Sequence, residues 1–207
     1  MLTRPELRTQ AREMFIGKWT QPVLATLITL AISGLLQGFA RSQSVILIVL
    51  YFLIYLLAVL NLQYGYDVAI LRFSRGREET IKEMFSAGFM EDYARVLGIV
   101  LLKAVFILLW MLLLIVPGII KAYSYAMTNY IAEDNPELGP NECIDRSIAM
   151  MNGHKMELFL LDLSFIGWIL LGFITLGIGW LWISPWINMA HVKFYEQLKA
   201  ETPAYTE

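Results

Sequence analysis

The chain has 207 residues, of which 57% are hydrophobic and 16% are charged, and its net charge is −2 at pH 7. Soluble domains carry about 25% charged residues, so a soluble fold of this composition would expose larger apolar patches than stable monomers tolerate. The weak negative charge argues against nucleic-acid binding, which needs a concentrated basic face, and the single cysteine, Cys143, cannot form an internal disulfide. The composition predicts an all-α fold, a polytopic transmembrane helical bundle in a lipid bilayer.

The first predicted element is a short amphipathic helix. Thr3 and Glu6 have the spacing of a capping box, and Pro5 is tolerated in a first helical turn. Apolar residues then recur on one face: Leu7, Ala11, Met14 and Phe15. We expect a helix within residues 1–19 that lies on the inner membrane surface or packs on the bundle as a juxtamembrane helix. The apolar stretch after it runs about 20 residues, longer than the ~7–15 of a signal peptide, so we expect a retained span.

Turn signals divide the remaining apolar sequence into about six predicted spans. A helix needs about 20 apolar residues to cross ~30 Å of hydrocarbon, and the stretches are separated at residues 37–44, 116–118 and 175–179. The predicted spans are residues 21–40, 45–66, 96–116, 118–133, 156–175 and 178–197, arranged as three hairpins in a single transmembrane domain, residues 1–207. The fourth stretch is short, so a re-entrant segment is the alternative there. The polar stretches predicted to form short amphipathic helices at the interface are residues 72–95 and 142–152.

Lysine and arginine residues fall on one side of this predicted topology. The N-terminus, two long loops and the C-terminus hold these basic residues: Arg4, Arg8, Arg12, Lys18, Arg72, Arg75, Arg77, Lys82, Arg95, Arg146, Lys155, Lys193 and Lys199. On the opposite side lies Arg41, with Lys121 just past the turn that begins the fourth stretch. The positive-inside rule therefore predicts that both termini lie in the cytoplasm. Three tryptophans suit an aromatic belt at the membrane–water interface: Trp180, Trp182 and Trp186.

A weak internal repeat places two charged residues at equivalent positions. Residues 101–107, LLKAVFI, align with residues 160–166, LLDLSFI, so Lys103 is matched by Asp162. An ionisable residue inside a span costs a few kcal/mol unless it pairs or faces water. We therefore hypothesise an intramembrane ion pair between Lys103 and Asp162, either as a structural lock between the last two hairpins or as a proton or ion site.

Other polar residues are further candidates for a site. Asp67 forms a polar end to the second predicted span, where it caps or packs at the interface or lines a solute path, and Lys121 would extend such a path. At the inner face, Arg146, His154 and Lys155 precede the fifth predicted span and together suit an anionic lipid head group. Ordinary positive-inside anchoring is the alternative for these three residues.

Four stretches carry a family resemblance: ELRTQAREMFIGKW (6–19), PGIIKAYSYAMTNYIAEDNP (117–136), RSIAMMNGHKMELFLLDLSFIGW (146–168) and TLGIGWLWISPWINMAHVKFYEQL (175–198). They resemble a bacterial family of uncharacterised membrane proteins catalogued as domain of unknown function 975. The resemblance covers nearly the whole chain and implies a polytopic protein of the bacterial plasma membrane, with no established activity. The arrangement is also similar to the membrane region that precedes some glycerophosphodiester phosphodiesterases. No part of their catalytic domain is present in this sequence, so that activity does not carry over.

The sequence contains no recognised catalytic or metal-binding motif. A G-x-S-x-G elbow, an H-E-x-x-H pair and a P-loop are absent, and the two histidines, His154 and His191, are far apart. We therefore predict no enzyme activity, no metal and no cofactor. Because polar groups within the spans are few, we favour a non-enzymatic membrane accessory or binding protein for a partner protein, a lipid or a peptide. The alternative is a small transporter or channel with a polar path near Asp162 and Lys103.

Overall fold

The computed structural model describes residues 2–40 and 44–201, with residues 38–40 described by their backbone alone. Arg41, which the predicted topology places on the outer side, lies outside the described residues. Within the described part the chain folds as helices and turns, without a strand. The helices are α1 (Arg4–Glu13), α2 (Thr20–Ala40), α3 (Val45–Ile54), α4 (Leu60–Ser74), α5 (Thr80–Phe85), α6 (Tyr93–Leu113), α7 (Ile115–Ser124), α8 (Thr128–Asp134), α9 (Pro140–Met150), α10 (Lys155–Leu163), α11 (Ile166–Ile174) and α12 (Trp180–Glu201). The all-α prediction is confirmed.

The N-terminal helix α1 forms where the capping box predicts it. The backbone N–H of Thr3 donates to Glu6 Oε2 at 2.6 Å. α1 packs against α12, and Trp186 Nε1 donates to the carbonyl oxygen of Arg8 at 2.8 Å. α1 is therefore packed on the bundle, whereas its position at the inner membrane surface stays a prediction.

Four helical segments of the described chain are long and apolar enough to cross a membrane: Thr20–Gln37, Val45–Ser74, Tyr93–Leu113 and Lys155–Ile174. The second is 30 residues long and joins α3 to α4 through one π-helical turn, Tyr55–Val59. At ~1.5 Å per residue it is about 45 Å long, which exceeds the ~30 Å of a hydrocarbon core. One end therefore projects beyond the core, and the predicted span at 45–66 covers only part of this helix.

The predicted crossings at 118–133 and 178–197 are not among these four long apolar segments. α7 and α8 are 10 and 7 residues long, and each is too short to cross a membrane alone. α12 is 22 residues long, contains Pro185 and carries charged residues toward its C-terminal end. Its length would suffice for a crossing, but it is more polar than the four segments above.

The α6–α7 hairpin turns at Leu114 instead of at the predicted turn of residues 116–118. Leu114 is extended, with φ −159° and ψ 139°, and separates the two helices. Pro117 and Gly118 lie inside α7 because the first helical turn needs no N–H partner for a proline. Gly118 permits the close approach of the hairpin, since a Cβ there would lie 2.9 Å from Met111 Cα.

The packed core of the bundle lies around α4. Buried residues follow one another along α4 and so occupy all of its faces, whereas α3, in the same long helix, has no buried residue. The polar stretch 72–95, predicted as one surface helix, instead forms α5 and a second π-helical turn, Ser86–Met90, both packed on α4. Gly65 permits this contact, because a Cβ there would lie 2.0 Å from the carbonyl oxygen of Met84. One half of the long helix is therefore surrounded by protein, and the other half is open to lipid.

The remaining predicted elements lie close to their expected positions. The short helix expected at 142–152 is α9. The span expected at 156–175 consists of α10 and α11, which are interrupted at residues 164–165. At this interruption the carbonyl oxygen of Ser164 accepts a hydrogen bond from Arg8 Nη1 at 2.7 Å. A side chain from α1 thus provides a hydrogen bond to a backbone carbonyl group at the interruption.

Candidate functional site

Four polar side chains meet where α4, α6 and α8 pack together, and they are called the central cluster: Gln63, Asp67, Lys103 and Asn129. Lys103 Nζ donates to Asn129 Oδ1 at 2.7 Å, and Asn129 Nδ2 donates to Asp67 Oδ2 at 2.8 Å. Gln63 Nε2 donates to the other oxygen of the same carboxylate at 3.0 Å. A single amide thus joins a cation to a carboxylate in a region where an unpaired charge is costly.

A second group, the Asp162 cluster, consists of Tyr123, Asp162 and His191. His191 Nε2 lies 2.5 Å from Asp162 Oδ1, and Tyr123 Oη donates to Asp162 Oδ2 at 3.0 Å. These side chains come from α12, α10 and α7. The cluster thus joins three helices through one carboxylate.

The hypothesised ion pair between Lys103 and Asp162 does not form. Each residue has another partner, Asn129 for Lys103 and His191 for Asp162. The physical reason is the segment between them in the chain. α7 packs against both α6 and α10, and its Tyr123 donates a hydrogen bond to the Asp162 carboxylate. α8 supplies Asn129, whose amide oxygen accepts a hydrogen bond from the Lys103 ammonium. Equal positions in a weak repeat do not bring the two charges together.

Sequence reasoning missed Asn129 and considered His191 only as a metal ligand. The sequence gives a weak indication of both residues, because each is a polar side chain inside a predicted span and needs a hydrogen-bond partner there. Lys121, expected to extend a solute path, contacts Trp110 instead. Its Nζ lies 4.8 Å from the centre of that ring, a cation–π contact within the α6–α7 hairpin.

The three head-group candidates have separate neighbours in the structure. Arg146 Nη1 donates to Asn135 Oδ1 at 3.0 Å. His154 Nδ1 lies 3.1 Å from Glu157 Oε2, and Lys155 is the first residue of α10. A shared head-group site at these three residues stays a prediction.

A buried arginine ties the projecting end of α4 to the polar segments around it. The side chain of Arg72 is 7% exposed and contacts Glu83 at 2.6 Å, Glu91 at 2.5 Å and Glu133 at 2.7 Å. The hydrogen bond from Arg72 lowers the pKa of Glu91 from its ordinary value of 4.5 to about 2. Arg72 therefore connects α4 to the segments that carry these three carboxylates. The positive-inside rule predicts it only as one of the basic residues on the cytoplasmic side.

Arg75, one turn further along, forms a second ion-pair group. It contacts Asp134 at 2.5 Å and Glu196 at 2.7 Å, and Lys199 contacts the same aspartate at 2.6 Å. The hydrogen bond with Asp134 raises the pKa of the Arg75 guanidinium. Three chain segments, the ends of α4, α8 and α12, are thereby joined at one place.

An open groove, here named the tryptophan groove, lies between α1 and the α11–α12 pair. It encloses about 360 Å³ and is lined by Arg12 together with four tryptophans: Trp19, Trp168, Trp182 and Trp186. A neighbouring cavity of about 490 Å³ shares Arg12 and adds Arg8. The predicted aromatic belt included two of these tryptophans; of the other two, Trp168 lies in α11 and Trp19 directly precedes α2.

Comparison with known proteins places the chain in a family. The family model described as "Protein of unknown function (DUF975)" matches residues 1–124 and 111–202. The chain belongs to this family. The family resemblance noted in the sequence is thereby confirmed, and no match was found among curated proteins or among solved structures.

Proposed function

We propose that the protein is a non-enzymatic membrane protein that binds another membrane component, a lipid, a peptide or a partner protein, and acts as an accessory to it. The observation that carries this proposal is the tryptophan groove. Ligand sites are concave and mostly apolar, with a few well-placed polar groups. The groove has this character, with an indole wall and Arg12 as its cation.

A small transporter or channel is the second candidate function. The observation that favours it is the presence of two clusters of ionisable side chains, with Asp67 and Lys103 in one and Asp162 and His191 in the other. Ionisable groups within a membrane are characteristic of ion and proton paths. In this case Asp67→Asn would abolish a measurable flux in proteoliposomes and leave binding at the groove intact.

We further infer six crossings in three hairpins, with both termini in the cytoplasm of a bacterial plasma membrane. Ion pairs between distant helix ends support the two additional crossings. Arg75, which directly follows α4, contacts Asp134 at the end of α8 and Glu196 near the end of α12. α8 and α12 thus end on the side where the second span ends, as a six-span path requires. The cytoplasmic assignment rests on the positive-inside rule, and the bacterial membrane rests on the family resemblance.

Cysteine accessibility in intact cells tests this topology. Glu137 is exposed between α8 and α9, and Leu176 is 93% exposed between α11 and α12. In a Cys143→Ser background, Leu176→Cys should react with a membrane-impermeant maleimide in intact cells. Glu137→Cys should react only after the membrane is permeabilised. Reaction of both positions in intact cells would contradict the six-span path.

Co-purification tests the binding function. The full chain is extracted from its native membrane into lipid discs, and every bound component is identified by mass spectrometry. A stoichiometric protein or peptide, or an enriched lipid, supports the proposal, and its loss from Trp182→Ala assigns it to the groove. A bulk lipid composition without any enriched component, together with an Asp67-dependent flux, would replace the binding role with transport.

A further inference from the structure

We propose that the tryptophan groove binds one anionic phospholipid, with its phosphate on Arg12 and an acyl chain along the indole wall. This inference rests on the proposed binding function and deepens it by naming the ligand class and the residues. It places the lipid at a different site from the head-group residues that the sequence suggests. Three independent features of the groove support it: a rigid wall, an opening toward the bilayer and a positive charge.

The indole wall is held in place by contacts within the protein. Trp186 packs edge-on against Trp168, with ring centroids 5.1 Å apart and planes at 67°, and against Phe165 at 5.1 Å and 89°. Its Nε1–H donates to the Arg8 carbonyl oxygen at 2.8 Å, so the polar group of the indole is satisfied. A preformed wall lowers the ordering cost of binding, and its apolar faces remain available to a chain of methylene groups.

The groove opens toward the bilayer. Trp168, Leu171 and Trp182 line it, yet they are 42%, 45% and 45% exposed. Trp168 and Leu171 belong to the membrane-crossing segment Lys155–Ile174. Their exposed faces therefore contact the hydrocarbon of the bilayer. The ligand available at this position is a lipid acyl chain.

The charge of the groove selects a negative head group. Arg12 lines both the groove and the neighbouring cavity, and among the residues that the structure describes its side chain forms no ion pair. Arg8 adds a second positive charge and has a buried Nε without a hydrogen-bond partner. One carboxylate, Glu13, lines the neighbouring cavity, so the local balance is positive. The planar guanidinium fork matches the oxygens of a phosphate.

Native mass spectrometry of the full chain tests the proposal. The purified protein is mixed with equal amounts of phosphatidylglycerol and phosphatidylcholine, and the lipid that remains bound to each chain is counted. We expect one phosphatidylglycerol per chain, retained about tenfold better than phosphatidylcholine, which is the effect of one charge-assisted hydrogen bond. Arg12→Gln should remove this preference, and Arg12→Lys should restore part of it. Trp182→Ala should weaken the retention of both lipids.

Two control variants separate the groove from other basic sites. Arg77→Gln removes a positive charge whose side chain is 63% exposed, and it should leave lipid retention unchanged. A triple variant with glutamine at Arg146, His154 and Lys155 should do the same. Loss of phosphatidylglycerol in the triple variant but not in Arg12→Gln would overturn the assignment to the groove. Equal retention of the two lipids by the unaltered chain would overturn the proposal of an anionic phospholipid. The proposed binding function is tested separately, and it fails only if the lipid-disc experiment returns no enriched component.

Discussion

Lys103 and Asp67 are joined through one side chain, the amide of Asn129, which accepts from the ammonium at 2.7 Å and donates to the carboxylate at 2.8 Å. The bridge connects α6 to α4 through α8. Removal of either charge leaves the other without its counter-charge. Among packed helices, an uncompensated charge lowers the stability of the fold.

This bridge predicts non-additive losses of stability. Lys103→Met should lower the free energy of unfolding by about 3 kcal/mol, because it leaves Asp67 uncompensated. The double variant with Asp67→Asn should lose less than the sum of the two single losses. A double-mutant cycle of unfolding in detergent micelles measures the coupling. Lys103→Met combined with Asp162→Asn is the control and should be additive, and additivity in the first pair as well would contradict the bridge.

The Arg72 network predicts a loss of stability in acid. A carboxylate whose pKa is depressed on folding adds stability above its unfolded pKa. For Glu91 that stability is lost as the pH falls from 4.5 to about 2. Glu91→Gln should flatten the pH profile in this window by at most about 1 kcal/mol, because the carboxylate is 50% exposed and screened by solvent. Unfolding midpoints across the acidic range give the profile. Glu137→Gln, an exposed position outside the network, should keep the original slope, and an unchanged slope in Glu91→Gln would count against the network.

Cys143 should be unreactive in the folded protein. Its side chain is fully buried, and burial raises the pKa of its thiol, so both reagent access and the thiolate fraction are low. A membrane-permeant maleimide at neutral pH should modify it more than about tenfold more slowly than the exposed thiol of Glu137→Cys. Complete modification is expected after denaturation. The mass shift of intact protein measures both rates, and fast reaction of native Cys143 would show that α9 is open.

Gly65→Ala should be strongly destabilising. The new Cβ would lie 2.0 Å from the Met84 carbonyl oxygen and 3.0 Å from the Gly88 nitrogen, which are backbone atoms that cannot rotate away. Overpacking of this kind costs about 1–3 kcal/mol, and we expect the upper end. Gly34→Ala is the matched control, because Gly34 is also helical and has no neighbour within 4 Å of an added Cβ; it should be neutral or slightly stabilising. Equal unfolding midpoints for the two variants would rule out the close packing of α5 on α4.

The features that the sequence predicts well depend on local chemistry. The capping box of Thr3 and Glu6 involves residues three apart, and the apolar length of a span is a property of consecutive residues. The turn expected at residues 116–118 was misplaced for a local reason as well. Pro117 is as compatible with the first turn of a helix as with a break, so its presence alone does not locate the end of α6.

The candidate site is less predictable because its contacts join helices that are distant in the chain. The cost of an ionisable residue inside a span singles out Asp67, Lys103 and Asp162 as residues that need partners. The partners that the structure supplies, Asn129 and His191, come from α8 and α12. Their approach is set by the packing of the whole bundle. A charge inside a span needs a partner, but its energetic cost does not determine which residue that partner is.

The π-helical turn at Tyr55–Val59 accommodates one extra residue within the second span. Such a turn holds one residue more than an α-helical turn, and the carbonyl oxygen of Leu57 within it accepts a hydrogen bond from Tyr93 Oη at 3.1 Å. Deletion of one residue here would leave an ordinary α-helical turn in place of the π-helical one, so α4 would keep nearly the same rotation relative to α3 and Asp67 would stay close to Asn129. Homologous chains that retain the amide bridge should therefore tolerate the loss of one residue in this segment.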